Sequence, residues 1–149
     1  MSLKEKIDAD IKQAMLNKRK EELTALRAIK SAILLAETEK GNASGLDEQG
    51  ELKLLAKQAK QRKDSAEIFQ KEGRSELAEK ELFEMEVIGR YLPQQLSEEE
   101  VVERLKVIIA ETGATGPQDM GKVMGRATKE MSGQADGKVI SQHVKALLN

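Results

Sequence analysis

The sequence predicts an all-α, multihelical fold: a four-helix N-terminal unit followed by a three-helix C-terminal unit. Three observations lead there. The chain of 149 residues is 39% hydrophobic, 34% charged and only 2% aromatic, and it is rich in Ala, Leu, Glu, Lys and Gln, which favours helix throughout. Apolar residues recur at three- and four-residue spacing, and no segment alternates apolar and polar over strand length. The pattern breaks sharply at Tyr91-Leu92-Pro93: Pro93 has no amide proton and its ring disfavours helix at Leu92, while Ser97 and Glu100 restart a helix with capping-box spacing. With no Gly/Ser spacer in between, the break reads as a short hinge. It separates an N-terminal helical domain, residues 1–93, from a C-terminal tail domain, residues 97–149.

The first helix opens on the capping pair Ser2 and Glu5 and carries Leu3, Ile7, Ile11, Ala14 and Met15 at helical spacing. Asn17 and the cations Lys18, Arg19 and Lys20 end it, where its dipole favours positive charge. The second, over about residues 21–40, is built on Leu23, Leu26, Ile29, Ile33 and Leu34. Gly41-Asn42-Ala43-Ser44-Gly45 is a loose loop, and Asp47 caps a long third helix bearing Leu52, Leu55, Ala59, Ala66 and Phe69. Gly73 suits its left-handed C-terminal position, and Ser75 is expected to cap a fourth helix with Leu77, Ala78, Met85, Ile88 and Leu92.

Beyond the hinge, Val101, Val102, Leu105, Ile108 and Ile109 form a fifth helix stopped at Gly113. Thr115 and Gln118 are a further capping pair, with Pro117 in the first turn of a sixth helix carrying Met120, Val123, Met124, Ala127 and Met131. Gly133 ends that helix. Asp136 caps a seventh with Val139, Ile140, His143, Val144 and Leu147.

Composition excludes several chemistries. The net charge is −1, so nucleic-acid binding requires a local patch. The chain has no cysteine, hence no disulfide, thiolate nucleophile or Cys-based zinc site, a pattern that points to the cytoplasm. Lys4, Glu5 and Lys6 do not make a signal peptide, and no apolar run could span a membrane. His143 pairs with no recognisable nucleophile, and there is no phosphate loop, HExxH or EF-hand. No catalytic residue, cofactor or metal site is therefore expected.

Two constellations remain. Arg27, Arg62 and Glu81 fall on apolar helix faces, where unpaired charge is costly. They read either as an internal Arg–Glu network or as a polar groove for a partner, and Glu81→Ala should cost roughly 3–5 kcal/mol if the pair is buried. Lys122, Arg126 and Lys129 share the face opposite the apolar stripe of the sixth helix, with Gly121 and Gly125 between the faces as expected points of close packing. Lys138 opens the next helix. Together these are the candidate phosphate contacts, against the plainer reading of a solvated basic face. Lys53, Lys57 and Lys60 form a similar stripe on the third helix, more simply read as solvated.

Leu26-Arg27-Ala28-Ile29-Lys30-Ser31-Ala32-Ile33, Lys60-Gln61-Arg62-Lys63-Asp64-Ser65, Gly73-Arg74 with Leu77, Tyr91-Leu92-Pro93 and Asp119-Met120-Gly121-Lys122-Val123-Met124 together resemble the YqeY family over nearly the whole chain. Gly121-Lys122-Val123-Met124 and Gly133-Gln134-Ala135-Asp136-Gly137-Lys138-Val139 also resemble the tail of the B subunit of the glutamine-dependent Asp/Glu-tRNA amidotransferase. That tail is a helical appendage that helps hold tRNA. The resemblance implies an all-α, two-part fold and an association with tRNA amidation, a carbon–nitrogen ligase reaction with glutamine as amido donor. The catalytic cradle of that enzyme has no counterpart here. Three readings follow: a tRNA-associated binding module, an accessory amidotransferase subunit, and a helical adaptor for an amidotransferase or other translation protein that touches no RNA.

Overall fold

The computed structural model describes residues 1–39 and 45–149, and among these it holds seven α-helices, one short 3-10 turn and no strand. The expected loop over Gly41-Asn42-Ala43-Ser44, and the expected end of the second helix at Lys40, lie outside the described residues. The chain divides into two compact units, Met1–Leu92 and Pro93–Asn149.

In the first unit, α1 (Leu3–Leu16) opens on a complete Ser2–Glu5 capping box, each residue's side chain meeting the other's backbone N–H. It ends at Asn17, and the turn into α2 (Lys20–Glu39) places Lys18 in the left-handed region, with φ 55°. Lys4 to Glu37 at 2.9 Å and Lys30 to Asp8 at 2.5 Å join the two helices. Asp47 caps α3 (Glu48–Lys71) by accepting the Gly50 N–H, and α3 pairs along its length with α4 (Ser75–Gly89). Gly73, at φ +74°, turns the chain between them, a conformation that side-chain-bearing residues resist. Ile7, Leu26, Ile29, Ile33, Leu55, Val87 and Ile88 make the core.

Four readings of this unit are corrected. Ser75 is not a cap: Arg74 holds that position without a side-chain bond, and Ser75 is already helical. Arg27 and Leu34 are exposed, because the covered arc of α2 centres on Ile29 with Ala25, Leu26 and Ile33, and 100° per residue carries both to the far side. Met15 and Leu77 are exposed at the ends of their stripes, where no neighbouring helix covers them. The charge network keeps the expected Arg62–Glu81 pair, but Glu84 takes the place of Arg27 and the group is wetter than expected. Arg62 meets Glu81 and Glu84, each at 3.4 Å, with side chains 30%, 17% and 14% exposed, and Arg27 takes no part.

At the end of this unit Arg90 reaches Glu22 at 2.7 Å, and Tyr91 donates its hydroxyl to Asp10. Burial, then this hydrogen bond, pushes the Tyr91 phenol well above its ordinary range.

The second unit begins before its first helix. Gln95 donates Nε2 to the Gly133 carbonyl at 2.6 Å, Leu96 donates its N–H to the Gln134 carbonyl at 2.9 Å, and Gln134 donates back to the Gln94 carbonyl at 3.3 Å. Residues 94–96 of the expected short hinge are thus fastened to the turn near Gly133. Then follow α5 (Glu98–Thr112), a 3-10 turn over Pro117–Asp119, α6 (Met120–Glu130) and α7 (Gly137–Leu148). The Ser97–Glu100 box is complete, and Gly113 ends α5 at φ +70°. The Thr115–Gln118 box does not form: Pro117 opens the 3-10 turn instead of a helix, and the Asp119 carboxylate takes the Thr115 N–H at 2.9 Å. Val101, Leu105, Ile108, Val123, Ala127, Met131, Ile140, Val144 and Leu148 fill the core.

Three stability outcomes follow from the first unit. Because Glu84 still holds Arg62, Glu81→Ala should cost about 1 kcal/mol and not the larger figure for a buried pair. Arg62→Ala strands two carboxylates and should cost about 2–3 kcal/mol, by urea unfolding followed through Tyr91, the single tyrosine. The Arg90 hydrogen bond leads in holding the Glu22 carboxyl below the usual range. Its contribution is therefore full above the unfolded value of about 4.3 and is lost as pH falls through the lower folded value. Glu22→Gln should accordingly flatten the stability–pH curve below about pH 4.3.

Candidate functional site

The amphipathic pattern of α6 orients the candidate cations. Val123, Ala127 and Met131 are fully buried, so Lys122, Arg126 and Lys129, on the other side of the helix, point away from the core. All three share one side of α6, and two of them are engaged. Lys122 donates Nζ to the Thr112 carbonyl at 3.0 Å, at the C-terminal end of α5, where a cation is favoured. Arg126 meets Glu130 through Nε at 3.0 Å and Glu111 of α5 through a terminal nitrogen. Lys129 is exposed and carries no ion pair among the described residues. The three cations and two carboxylates leave this side of α6 with one net positive charge.

Lys138 is exposed at the start of α7, but its backbone N–H is taken by the Asp136 carboxylate at 3.1 Å. That acidic cap disfavours the phosphate contact expected from a free helix start. Gly121 and Gly125 are not points of close packing. Both are exposed, and a Cβ added at either would meet nothing within 4 Å. His143 is part-buried, its Nε2 4.0 Å from Glu98, with no nucleophile in its described contacts. Among the described residues no cluster of His, Cys, Asp or Glu could hold a metal ion, and no helix is long and apolar enough to cross a membrane.

In the first unit Lys53 and Lys57 are exposed on the outer side of α3, opposite Leu55 and Ala66. A small recess is lined by Arg62 and Glu84 with Ala25, Ala28, Ile29, Gln58 and Ile88 and is too small for an organic ligand. Sequence reasoning overlooked Glu111 and Glu130. Glu130 was open to view as the i+4 partner of Arg126. Glu111 was not, because its contact depends on how α5 packs against α6.

Residues 4–148 match the family described as Yqey-like protein. Three fungal relatives are each named altered inheritance of mitochondria protein 41, mitochondrial. The Clavispora lusitaniae protein is 36% identical over 110 residues, covering 72% of this chain and 63% of its own length. The Pyrenophora tritici-repentis protein is 30% identical over 147 residues, covering 96% and 79%. The Lachancea thermotolerans protein is 36% identical over 110 residues, covering 72% and 58%. The matched part therefore spans less than two thirds of the first and third relatives. These names overturn the cytoplasmic expectation, since each belongs to a mitochondrial protein. Freedom from cysteine limits redox chemistry; it does not choose a compartment.

The open space around the α6 glycines has a measurable consequence. Gly125→Ala should raise stability by about 0.5–1 kcal/mol, read as a higher Tm, since a helix-interior glycine costs entropy and nothing obstructs the methyl group. Gly121→Ala should gain less, because it lies in the first turn.

Proposed function

Because the chain belongs to the YqeY family, we propose that it is a tRNA-associated helical binding module, in which the cationic side of α6 meets the sugar–phosphate backbone. One observation carries this reading: burial of Val123, Ala127 and Met131 leaves Lys122, Arg126 and Lys129 outward on a single helix. Lys138 is an auxiliary contact through its exposed side chain alone, since the Asp136 carboxylate takes its backbone N–H. The four helices before Pro93 and the three after it are separate working parts in this reading, with the RNA contact on the latter. The likeness to the amidotransferase tail links the module to glutamine-dependent tRNA amidation, where it contributes binding, as an accessory to chemistry done elsewhere. Since the relatives are named mitochondrial, mitochondrial tRNA is the first probe to use beside bulk tRNA.

Apolar surface on the first unit favours a second reading, a protein adaptor: Leu35 is 60% and Ile68 56% exposed. Salt separates the two. Two or three neutralised phosphates give a log–log slope of affinity against salt of roughly −1.5 to −3, with little dependence on base identity. Lys129→Glu, at a side chain without an ion pair among the described residues, should weaken tRNA binding and leave the melting curve in place. Reversing Lys122, Arg126 and Lys129 together to Glu should flatten the slope, with circular dichroism checking the fold. Equal tRNA binding by wild type and folded triple variant would favour the adaptor.

A further inference from the structure

We propose that Glu111 and Glu130 are built-in competitors for the phosphate that Arg126 would otherwise hold, so that α6 engages a dense phosphate array and passes over single anions. This rests on the tRNA reading above. Arg126 lies between a carboxylate from α5 and another one turn further along its own helix. Both acids are about half exposed, so each pair is screened and each can open.

A lone anion arriving at Arg126 must displace two carboxylates for one cation. A nucleic-acid backbone reaches Lys122 and Lys129 in the same event and releases condensed counterions as it binds, a gain that a single phosphate lacks. The acids therefore lower affinity for everything, and lower it furthest for ligands that offer one charge at a time. No covalent step is involved.

The test uses the full chain, with unfractionated tRNA as probe and inorganic phosphate as competitor. Glu111→Gln with Glu130→Gln should raise tRNA affinity about 5- to 20-fold, two exposed ion pairs each removed as obstacles. The salt slope should steepen by about 0.7–0.9, one further phosphate contact, and phosphate should compete at lower concentration than against wild type. Adding Arg126→Ala should erase the gain. Glu103→Gln is the control: it frees Lys106, 3.4 Å away on α5, and changes net charge by one unit for its one substitution. Wild type that binds tRNA while the double variant binds no better would overturn the inference and leave the tRNA reading standing. A per-substitution gain from Glu103→Gln equal to that of the pair would also overturn it, as an effect of overall charge. Absence of tRNA binding in wild type and double variant alike, at low salt, would remove both.

Discussion

Packing of the α6 stripe against α5 and α7 is the constraint on which the second unit depends. Val123, Ala127 and Met131 are fully buried, and each large aliphatic side chain so removed from water contributes about 1.5–3 kcal/mol. An exposed ion pair contributes about 0–1 kcal/mol. Burial therefore chooses the rotation of α6, and Arg126, Glu111 and Glu130 adjust to it. The outward direction of the cations is a consequence of which side chains had to go inside.

The same economy governs the first unit. With one tyrosine, two phenylalanines and no tryptophan in the chain, the buried core of this unit is made of aliphatic residues. A core of that kind covers only a narrow arc of each helix. Leu34, Leu35 and Ile68 are left outside it, and Arg62 settles at its margin with two carboxylates. Such margins hold charge at modest cost, because water still reaches them.

For function, the important consequence is that two of the candidate cations already have work inside the fold. Lys122 sits on the last turn of α5 and Arg126 ties α5 to α6, so both contribute to the structure whether or not RNA binds. In the proposed tRNA reading, such a surface would act through shape and a small net charge. It suits a part that binds alongside others better than one that captures nucleic acid through a long-range field.

The sequence by itself determined the helical class, the break at Pro93, the capping boxes at Ser2 and Ser97, the Asp47 and Asp136 caps and the glycine turns at Gly73 and Gly113. The helical class is written in composition and in apolar spacing along the chain. The break, the caps and the turns are each written within about four residues, in a missing proton, a side-chain acceptor or a tolerated positive φ, and need no distant partner. Helical phase alone also places Arg62 and Glu81 on the inward stripes of their helices, where they meet. It failed for Arg27 and Leu34, because periodicity marks an apolar face but does not say how wide an arc the neighbouring helices cover. Only the tertiary structure decided that Gly121 and Gly125 face open space, that Gln95 and Gln134 fasten the residues after Pro93, and that Glu111 holds Arg126. Those outcomes depend on which helix lies beside which, and a local pattern of side chains carries no record of that.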